Sequence, residues 1–331
     1  MNDLVLGIES SCDDTGVAVV DVEGNVLTSV VTTQTEIHKK YGGVYPELAS
    51  RAHVASILPA VEKAFSEANI TSKDLRAIGV TRGPGLIGSL LVGLNTASGL
   101  GMGWGLPVIG INHLRGHLRS ADLGESRVRC PAIILLVSGG HTFLALFEDS
   151  RRITLLGSTR DDSVGEAYDK VGRMLGISYP GGSVVDKMAL KGNSNIISFP
   201  RPMLNDGLEF SFSGLKSAVA RFISEPASSV LENVAASFVE AVMDVLITKC
   251  RRALSEYPCV SLVIVGGVAA SPPLRSRAKQ LCDEVGVELC LPPLQWSTDN
   301  AAMIALATFD YLHLEEYPRP LPQSRLSISD Y

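Results

Sequence analysis

Residues 4–31 read LVLGIESSCDDTGVAVVDVEGNVLTSVV. A short apolar run, Leu4 to Ile8, enters a polar turn from Glu9 to Gly16, leaves through Val17 to Val20 and continues along Asn25 to Val31. That pattern predicts a strand meander. The same order recurs in the second half of the chain. Ala132 to Val137 reads as a buried strand, Ser138 to His141 as a turn of small polar residues, and Thr142 to Phe147 and Ile153 to Leu156 as further strands. The residues themselves barely match, so the repeat is architectural, and it predicts an ancient duplication.

Between and after the meanders the apolar spacing turns helical. Pro46 to Ala68 carries Leu48, Ala52, Ala55, Leu58, Val61 and Phe65, with Pro59 expected to kink it. Ala77 to Thr81 reads as a strand, Ile87 to Gly103 as a helix and Val108 to Ile111 as a strand. In the second half, helices are expected at Val164 to Leu175, Ser183 to Leu190, Val230 to Leu254, Pro273 to Val285 and Asp299 to Leu312, with a strand at Leu262 to Val265. Alternation of this kind means α/β layers. The polar run Arg119 to Pro131 predicts a domain boundary, and Asn193 to Phe212 lacks periodicity for longer than a passive connection, which marks it as a candidate functional loop. The Pro-rich segment after Glu316 is expected to be mobile.

At 331 residues the chain is long enough for two domains, each with its own core. Hydrophobic residues make up 46% and charged residues 19%, which excludes intrinsic disorder. The net charge of −6 excludes a surface that is basic overall, so any RNA contact must come from a local patch or a partner. The six cysteines are scattered without paired short spacing, so a reducing cytoplasm is the expected location. No basic flank precedes the first apolar segment, unlike a secretory signal. Residues 83–114 contain no formally charged residue, but nine glycines, Pro84, Pro107, Asn95 and Thr96 interrupt them. They are read as a buried Gly-rich helix with its flanks, and no membrane association is expected.

Three strand ends open into turns of small or acidic residues: Glu9 to Thr15, Ser138 to His141 and Gly266 to Ser271. Each can cradle an anion on converging backbone N–H groups, and each read alone is equally a tight turn. Asp13 and Asp14 would repel phosphate in the first turn unless a metal or a proton transfer is involved. His113 and His117 are spaced i, i+4, so on a helix both imidazoles face one side and could share a metal; a chance surface pair has the same spacing. Leu114, Arg115 and Gly116 stand between them, so the Glu that zinc metalloproteases carry directly after the first His is missing. Asp299, beside Thr298 and Asn300, reads by spacing as a capping acid of the last helix, with a third metal ligand as the sharper reading. Arg201 and Lys216, near the long loop, read as solvated charges before they read as anion ligands.

Taken in order, GIESSCDDT (7–15), YGGVYPELASR (41–51), GPGLIGSLLVG (83–93), NHLRGH (112–117), LVSGGHT (136–142), GEAYDK (165–170), YPGG (179–182), FPRPM (199–203), FSFSGLK (210–216), GGVAA (266–270) and STDNAAMIA (297–305) strongly resemble the TsaD family of tRNA adenosine threonylcarbamoyltransferases, once described as glycoproteases. The resemblance spans nearly the whole chain. It implies an α/β, duplicated actin-like ATPase fold of the sugar-kinase and heat-shock type, with a ligand and metal cleft between two lobes. Those lobes would be residues 1–125, completed by the helix 298–314, and residues 126–297, with 315–331 as a mobile tail.

By position, the resemblance implies that His113, His117 and Asp299 hold one divalent metal, Fe2+ ahead of Zn2+, and that Asp13 is the acid beside the reacting centre. Leu136, Val137, Ser138, Gly139, Gly140, Asp169, Gly182, Asp186 and Ser271 would surround threonylcarbamoyl-adenylate. The implied reaction is acyl transfer to the exocyclic amine of the adenosine 3′ of the anticodon. The implied partners are tRNA, a paralogous TsaB-type subunit and a TsaE-type ATPase; docking of one subunit is expected on the Gly-rich helix from Ile87 to Gly103, whose small residues permit close approach and equally suit internal packing alone. The chain departs from the family pattern at Ser271, where relatives usually carry Asn, and at Arg115 and Asp14, where they commonly carry Glu. A small-molecule kinase of the same superfold would use the same three turns, and a non-catalytic scaffold paralogue would share the fold; retention of the two histidines, Asp299 and Asp13 argues against both.

Overall fold

A computed structural model describes residues 3–124, 127–149, 152–224 and 230–330 of the protein. The chain divides into two compact units, Met1–Arg127 with Pro292–Tyr331, and Val128–Leu291. The boundary expected between residues 125 and 126 falls outside the described residues.

In the first unit, β1 (Leu4–Glu9) is buried along its whole length because both faces of its sheet are covered. Strands β2 (Asp14–Asp21) and β3 (Val26–Thr33) run antiparallel beside it, forming the expected meander. A short helix α1 (Thr35–Lys39) and the long helix α2 (Pro46–Ala68, continuous through Pro59) lead to β4 (Leu75–Gly83). Helix α3 (Ile87–Trp104), strand β5 (Val108–Asn112) and helix α4 (His113–Ser120) follow. The sheet order is β3-β2-β1-β4-β5, with β1, β4 and β5 parallel. Leu4, Leu6 and Ile8 point to one face, where they pack with Ile57, Val61 and Leu90 of α2 and α3. This is the two-residue alternation of a strand.

The second unit repeats the plan. Strands β6 (Ala132–Val137), β7 (Thr142–Asp149) and β8 (Arg152–Ser158) form the antiparallel meander. Helices α5 (Val164–Met174), α6 (Gly182–Ala189), α7 (Ser213–Ser224) and α8 (Leu231–Glu256) follow. Strand β9 (Ser261–Val265), helix α9 (Pro272–Val285) and strand β10 (Glu288–Cys290) complete the sheet, in the order β10-β9-β6-β7-β8. Strand for strand this matches the first sheet: three antiparallel strands from a central first strand, then two parallel ones. The duplication read from the two meanders therefore extends to all five strands of each sheet. Phe238, Val242 and Leu246 of α8 pack against β6 residues such as Ile133 and Leu135 in this unit's core.

The loop at residues 193–212 is pinned from below. Lys249 is fully buried, and its Nζ donates to the carbonyls of Met203, Asp206 and Gly207 at 2.6, 2.8 and 2.8 Å. Arg201 donates to Asp244 at 2.9 Å and to the Phe199 carbonyl at 2.6 Å, and Lys216 pairs with Asp162 at 2.7 Å. Both cations are thus held by carboxylates rather than solvated.

The chain then returns to the first unit through α10 (Ala301–Thr308), which lies on the sheet face opposite α2 and α3. Small residues permit the close approach. A Cβ on Gly7 would strike the Ala301 carbonyl, and one on Gly79 would strike the Thr308 hydroxyl. Past α10, the segment expected to be mobile is packed instead. Gly110 N donates to Pro318 O at 2.9 Å, Gln323 N donates to Arg82 O at 2.8 Å, and Ile328 is only 1% exposed. Pro318, Pro320 and Pro322 favour an extended backbone, so this segment loses less entropy on docking than its composition suggested. No helix among the described residues is long and apolar enough to cross a membrane.

Candidate metal centre

Helix α4 places His113 and His117 one turn apart on the same side, with ring centroids 4.6 Å apart. Asn112 caps this helix, its Oδ1 accepting from Leu114 N at 3.0 Å. Gly116 lets α10 approach: a Cβ there would come 2.8 Å from Ile304 Cδ1 and 3.3 Å from Met303 Cγ. The helix expected from Asp299 begins two residues later, at Ala301, and its cap is Asn300, whose Oδ1 accepts from Met303 N at 2.9 Å. Asp299 is thereby released from the capping role that its spacing suggested. Its Oδ1 lies 3.2 Å from His117 Nε2 and 3.5 Å from His113 Nε2.

One candidate ligand atom from each of these residues lies within 4.8 Å of the others. Atoms bound about 2.1 Å from a common ion stand roughly 3 to 3.5 Å apart, so the two nitrogen–oxygen separations fit a shared cation. His117 supplies the sharper test. Its ring is fully buried, and neither ring nitrogen makes a hydrogen bond among the described residues. A buried imidazole without a hydrogen bond is costly, and a metal ion at Nε2 would remove part of that cost. The residues present therefore fit a divalent metal.

His113 is oriented from behind by Glu9, at the end of β1. The Glu9 Oε2 lies 3.0 Å from His113 Nδ1 and accepts from Thr81 Oγ1 at 2.6 Å, while Oε1 accepts from Ser11 N at 2.5 Å. Nδ1 is thus engaged, leaving Nε2 as the ligand atom. Burial disfavours a charged His113, but the Glu9 and Asp299 carboxylates outweigh it and raise its pKa to about 9. Burial also opposes charge on Glu9, yet the facing His113 holds its pKa below the usual value. A metal would take the place of the imidazole proton. Glu9 stands within the IESS motif, yet nothing in its spacing singles it out; only its burial at the strand end reveals the role.

Asp13 lies in the turn between β1 and β2 and Asp14 opens β2; His53 of α2 braces this turn through Thr15 Oγ1 at 2.7 Å and the Cys12 carbonyl at 3.0 Å. Burial, together with the Asp13, Asp299 and Glu9 carboxylates, pushes the Cys12 thiol far above its usual range, so the metal-side carboxylate and Asp13 act on the same group. Asp14 is raised to about 6, chiefly by burial, with Asp13 among the carboxylates adding to it.

In the second unit, Leu136 and Val137 are fully buried strand residues, so only their main chain is available to a ligand. Gly139 and Gly140 are exposed at the following turn, with open space where a Cβ would stand. The turn is braced by Ser163, which donates to Gly139 O at 2.6 Å and caps α5 by accepting from Glu166 N. Asp169 accepts from Gly181 N at 2.8 Å, just before Gly182 opens α6. Asp186 is 5% exposed and accepts from Tyr168 OH at 3.1 Å. Burial raises the Asp186 pKa, against the lowering effect of the Ser271 and Tyr168 hydroxyls. The structure thus joins Asp186 to Tyr168, a residue that sequence reasoning did not assign.

The sequence model of TsaD, tRNA N6-adenosine threonylcarbamoyltransferase, matches residues 25–306. A protein of that name from Kosmotoga olearia is 45% identical over 307 residues, covering 92% of each chain. Its counterpart from Streptococcus pneumoniae is 46% identical over 319 residues, covering 95% of this chain and 94% of its own. Among solved structures, the activator of the 2-hydroxyisocaproyl-CoA dehydratase from Clostridium difficile covers 94% of this chain and 95% of its own, with a TM-score of 0.54 and 16% identity. HypF from T. kodakarensis covers 93% of this chain and 47% of its own, with a TM-score of 0.63 and 12% identity. At such identities the likeness concerns the fold alone, and with the paired sheet topology it is the actin-like ATPase fold. The coverage of the sequence model and the identity to full-length relatives decide the matter: the chain belongs to the TsaD family of tRNA N6-adenosine threonylcarbamoyltransferases.

Proposed function

We propose that His113, His117 and Asp299 hold one divalent metal per chain and that this centre serves the family's reaction. The chain is an acyltransferase, moving the threonylcarbamoyl group from threonylcarbamoyl-adenylate to the exocyclic amine of the adenosine 3′ of the anticodon in tRNAs reading codons that begin with A. The observation that carries the metal reading is His117, buried without a hydrogen-bond partner among the described residues, 3.2 Å from the Asp299 carboxylate. Two imidazoles and one carboxylate suit non-haem iron(II) and catalytic zinc alike, and Fe2+ is assigned ahead of Zn2+ on the family resemblance. A divalent ion held there supplies positive charge for a phosphate leaving group.

The donor is already activated, so the protein's task is to position it and manage a proton. The amine nitrogen bonds to the carbamoyl carbon, the bond from that carbon to the phosphate oxygen breaks, AMP leaves, and the amine gives up a proton. Asp13 is assigned as the acceptor of that proton. The main chain of Leu136 and Val137, the Ser138 to Gly140 turn, Asp169, Gly182, Asp186 and Ser271 are assigned to the adenylate. Support comes from the open, braced turn at Gly139 and Gly140 and from the hydroxyl-lined Asp186 carboxylate.

The net charge of −6 makes a lone chain a weak tRNA binder, so a TsaB-type subunit and a TsaE-type ATPase are assigned as partners, in the cytoplasm. Helix α3 is assigned as the docking element. Gly88, Gly93 and Gly101 serve internal packing, whereas Gly99 and Gly103 face open space beside Met102, which is 86% exposed. Val54 and Leu58 of α2, with Ile87 and Leu91 of α3, add an exposed apolar stripe. The test is nucleoside mass spectrometry of unmodified tRNA incubated with adenylate and the chain, alone and with both partners. Modification beyond one turnover only with the partners supports this account, and sustained turnover by the chain alone contradicts the partner assignment.

A further inference from the structure

The C-terminal segment lies directly on the elements that deliver the two histidines. A Cβ on Gly83 would strike the Gln323 carbonyl, and one on Gly110 would come within 2.5 Å of the Arg319 carbonyl, so β4 and β5 are stripped of side chains where the segment crosses them. Gly85 N donates to Ser324 O, at the turn that follows β4. Ile328 is buried to 1% exposure.

The contacts converge on α4. Asn112 is 1% exposed and uses both ends of its amide. Its Oδ1 caps the helix through Leu114 N, while its Nδ2 donates to Ser327 O at 2.7 Å and to Asp330 O at 3.2 Å. Arg115, 5% exposed and two residues past His113, donates from Nε to Ile328 O at 3.1 Å. One amide therefore fixes both the start of the histidine helix and the end of the chain. Displacing residues 327–330 would leave the buried Asn112 and Arg115 donors without these acceptors, so α4 is under pressure to shift toward new partners.

We propose that residues 318–330 form a strap whose docking on Asn112 and Arg115 positions His113 and His117, so that strap docking and metal binding are thermodynamically linked. The proposal rests on the metal reading above. Asn112 and Arg115 act as positioning residues, outside the candidate ligand set of His113, His117 and Asp299. Linkage is reciprocal: if the docked strap tightens the metal site by some factor, the bound metal must favour the docked strap by the same factor.

The test uses the full chain and Zn2+ alone, with affinity read by competition against a chromophoric chelator. Asn112→Ser keeps a capping oxygen but loses the amide donor; Arg115→Met keeps the stem but loses the guanidinium; Gly110→Ala pushes the strap from beneath. Each is expected to weaken Zn2+ binding at least tenfold while far-UV circular dichroism stays native. In the unaltered protein, Zn2+ is expected to slow carboxypeptidase trimming of the C-terminus several-fold. Variants that bind Zn2+ as tightly as the unaltered chain, or trimming that ignores Zn2+, would overturn the strap. Should the variants fail to fold, the trimming of the unaltered chain decides alone. No Zn2+ uptake by the unaltered chain would instead defeat the metal reading beneath it.

Discussion

Glu9 Oε2 lies 3.0 Å from His113 Nδ1, which makes the last residue of the first strand the brace of a metal-ligand candidate more than a hundred residues away in sequence. Three donors, from Ser11, Thr81 and His113, converge on this one buried carboxylate. Replacing Glu9 by Ala removes all three acceptor contacts at once. Glu9→Ala is expected to weaken metal binding about 10- to 100-fold, the usual effect of losing such a supporting carboxylate. Glu9→Gln, which keeps one acceptor oxygen, should fall between. Chelator competition on the purified variants measures both.

Gly116 governs how closely α10 approaches α4. Gly116→Val drives branched methyl groups toward Ile304 and Met303. The expected outcome is a loss of about 1–3 kcal/mol in stability, typical of overpacking, together with weaker metal binding because Asp299 moves away from the histidines. Thermal melts paired with metal titration check the two effects together.

Lys249 separates the long loop's structural role from its chemistry. Lys249→Met leaves the Asp206 carbonyl without its donor, while Met203 O keeps Asp206 N and Gly207 O keeps Arg252 Nη1. A destabilisation of about 1–3 kcal/mol is expected from the loss of these charge-assisted hydrogen bonds, which leaves Asp206 O alone without a donor. Metal content should be unchanged, since the loop belongs to the other unit. Urea unfolding and elemental analysis of the same sample give the comparison.

Asp14 predicts a pH dependence whose sign is fixed by burial. Its carboxyl is raised from 3.8 to about 6 in the folded chain, so the native state holds a proton that the unfolded state releases between about pH 4 and 6. Folding is therefore favoured by this group at low pH, and that contribution is lost as pH rises through 6. Asp14→Asn should gain about 1–2 kcal/mol over the unaltered, metal-free protein at pH 7.5 and nothing at pH 4. Denaturant midpoints at the two pH values are the measurement.

Much of this was legible in the sequence because strand alternation and small-residue turns are local signals. The residue 4–31 meander and its echo at 132–156 predicted the strands that then proved to be the first three of each five-stranded sheet. The histidine pair was legible as a pair, since α4 converts i, i+4 spacing directly into one face. Asp299 was misleading for the same local reason: beside Asn300 it resembles a cap, and only the tertiary placement of α10 shows which of the two residues caps the helix. Glu9, Gly116 and Tyr168 act across long sequence separations, so no local pattern marks them. The tail's prolines suggested mobility, because its docking depends on glycines at 83 and 110 that are remote in the chain.

The central claim is that the His113, His117 and Asp299 centre serves threonylcarbamoyl transfer, and a complementation measurement tests it most directly. Cells depleted of this protein are supplied with either the unaltered chain or the His113→Ala/His117→Ala double variant, expressed to equal soluble levels. Threonylcarbamoyladenosine in their tRNA is then quantified by mass spectrometry. The account predicts full restoration by the unaltered chain, and no modified nucleoside above the depleted background with the double variant, which should also carry no metal. Full restoration by a metal-free double variant would contradict it.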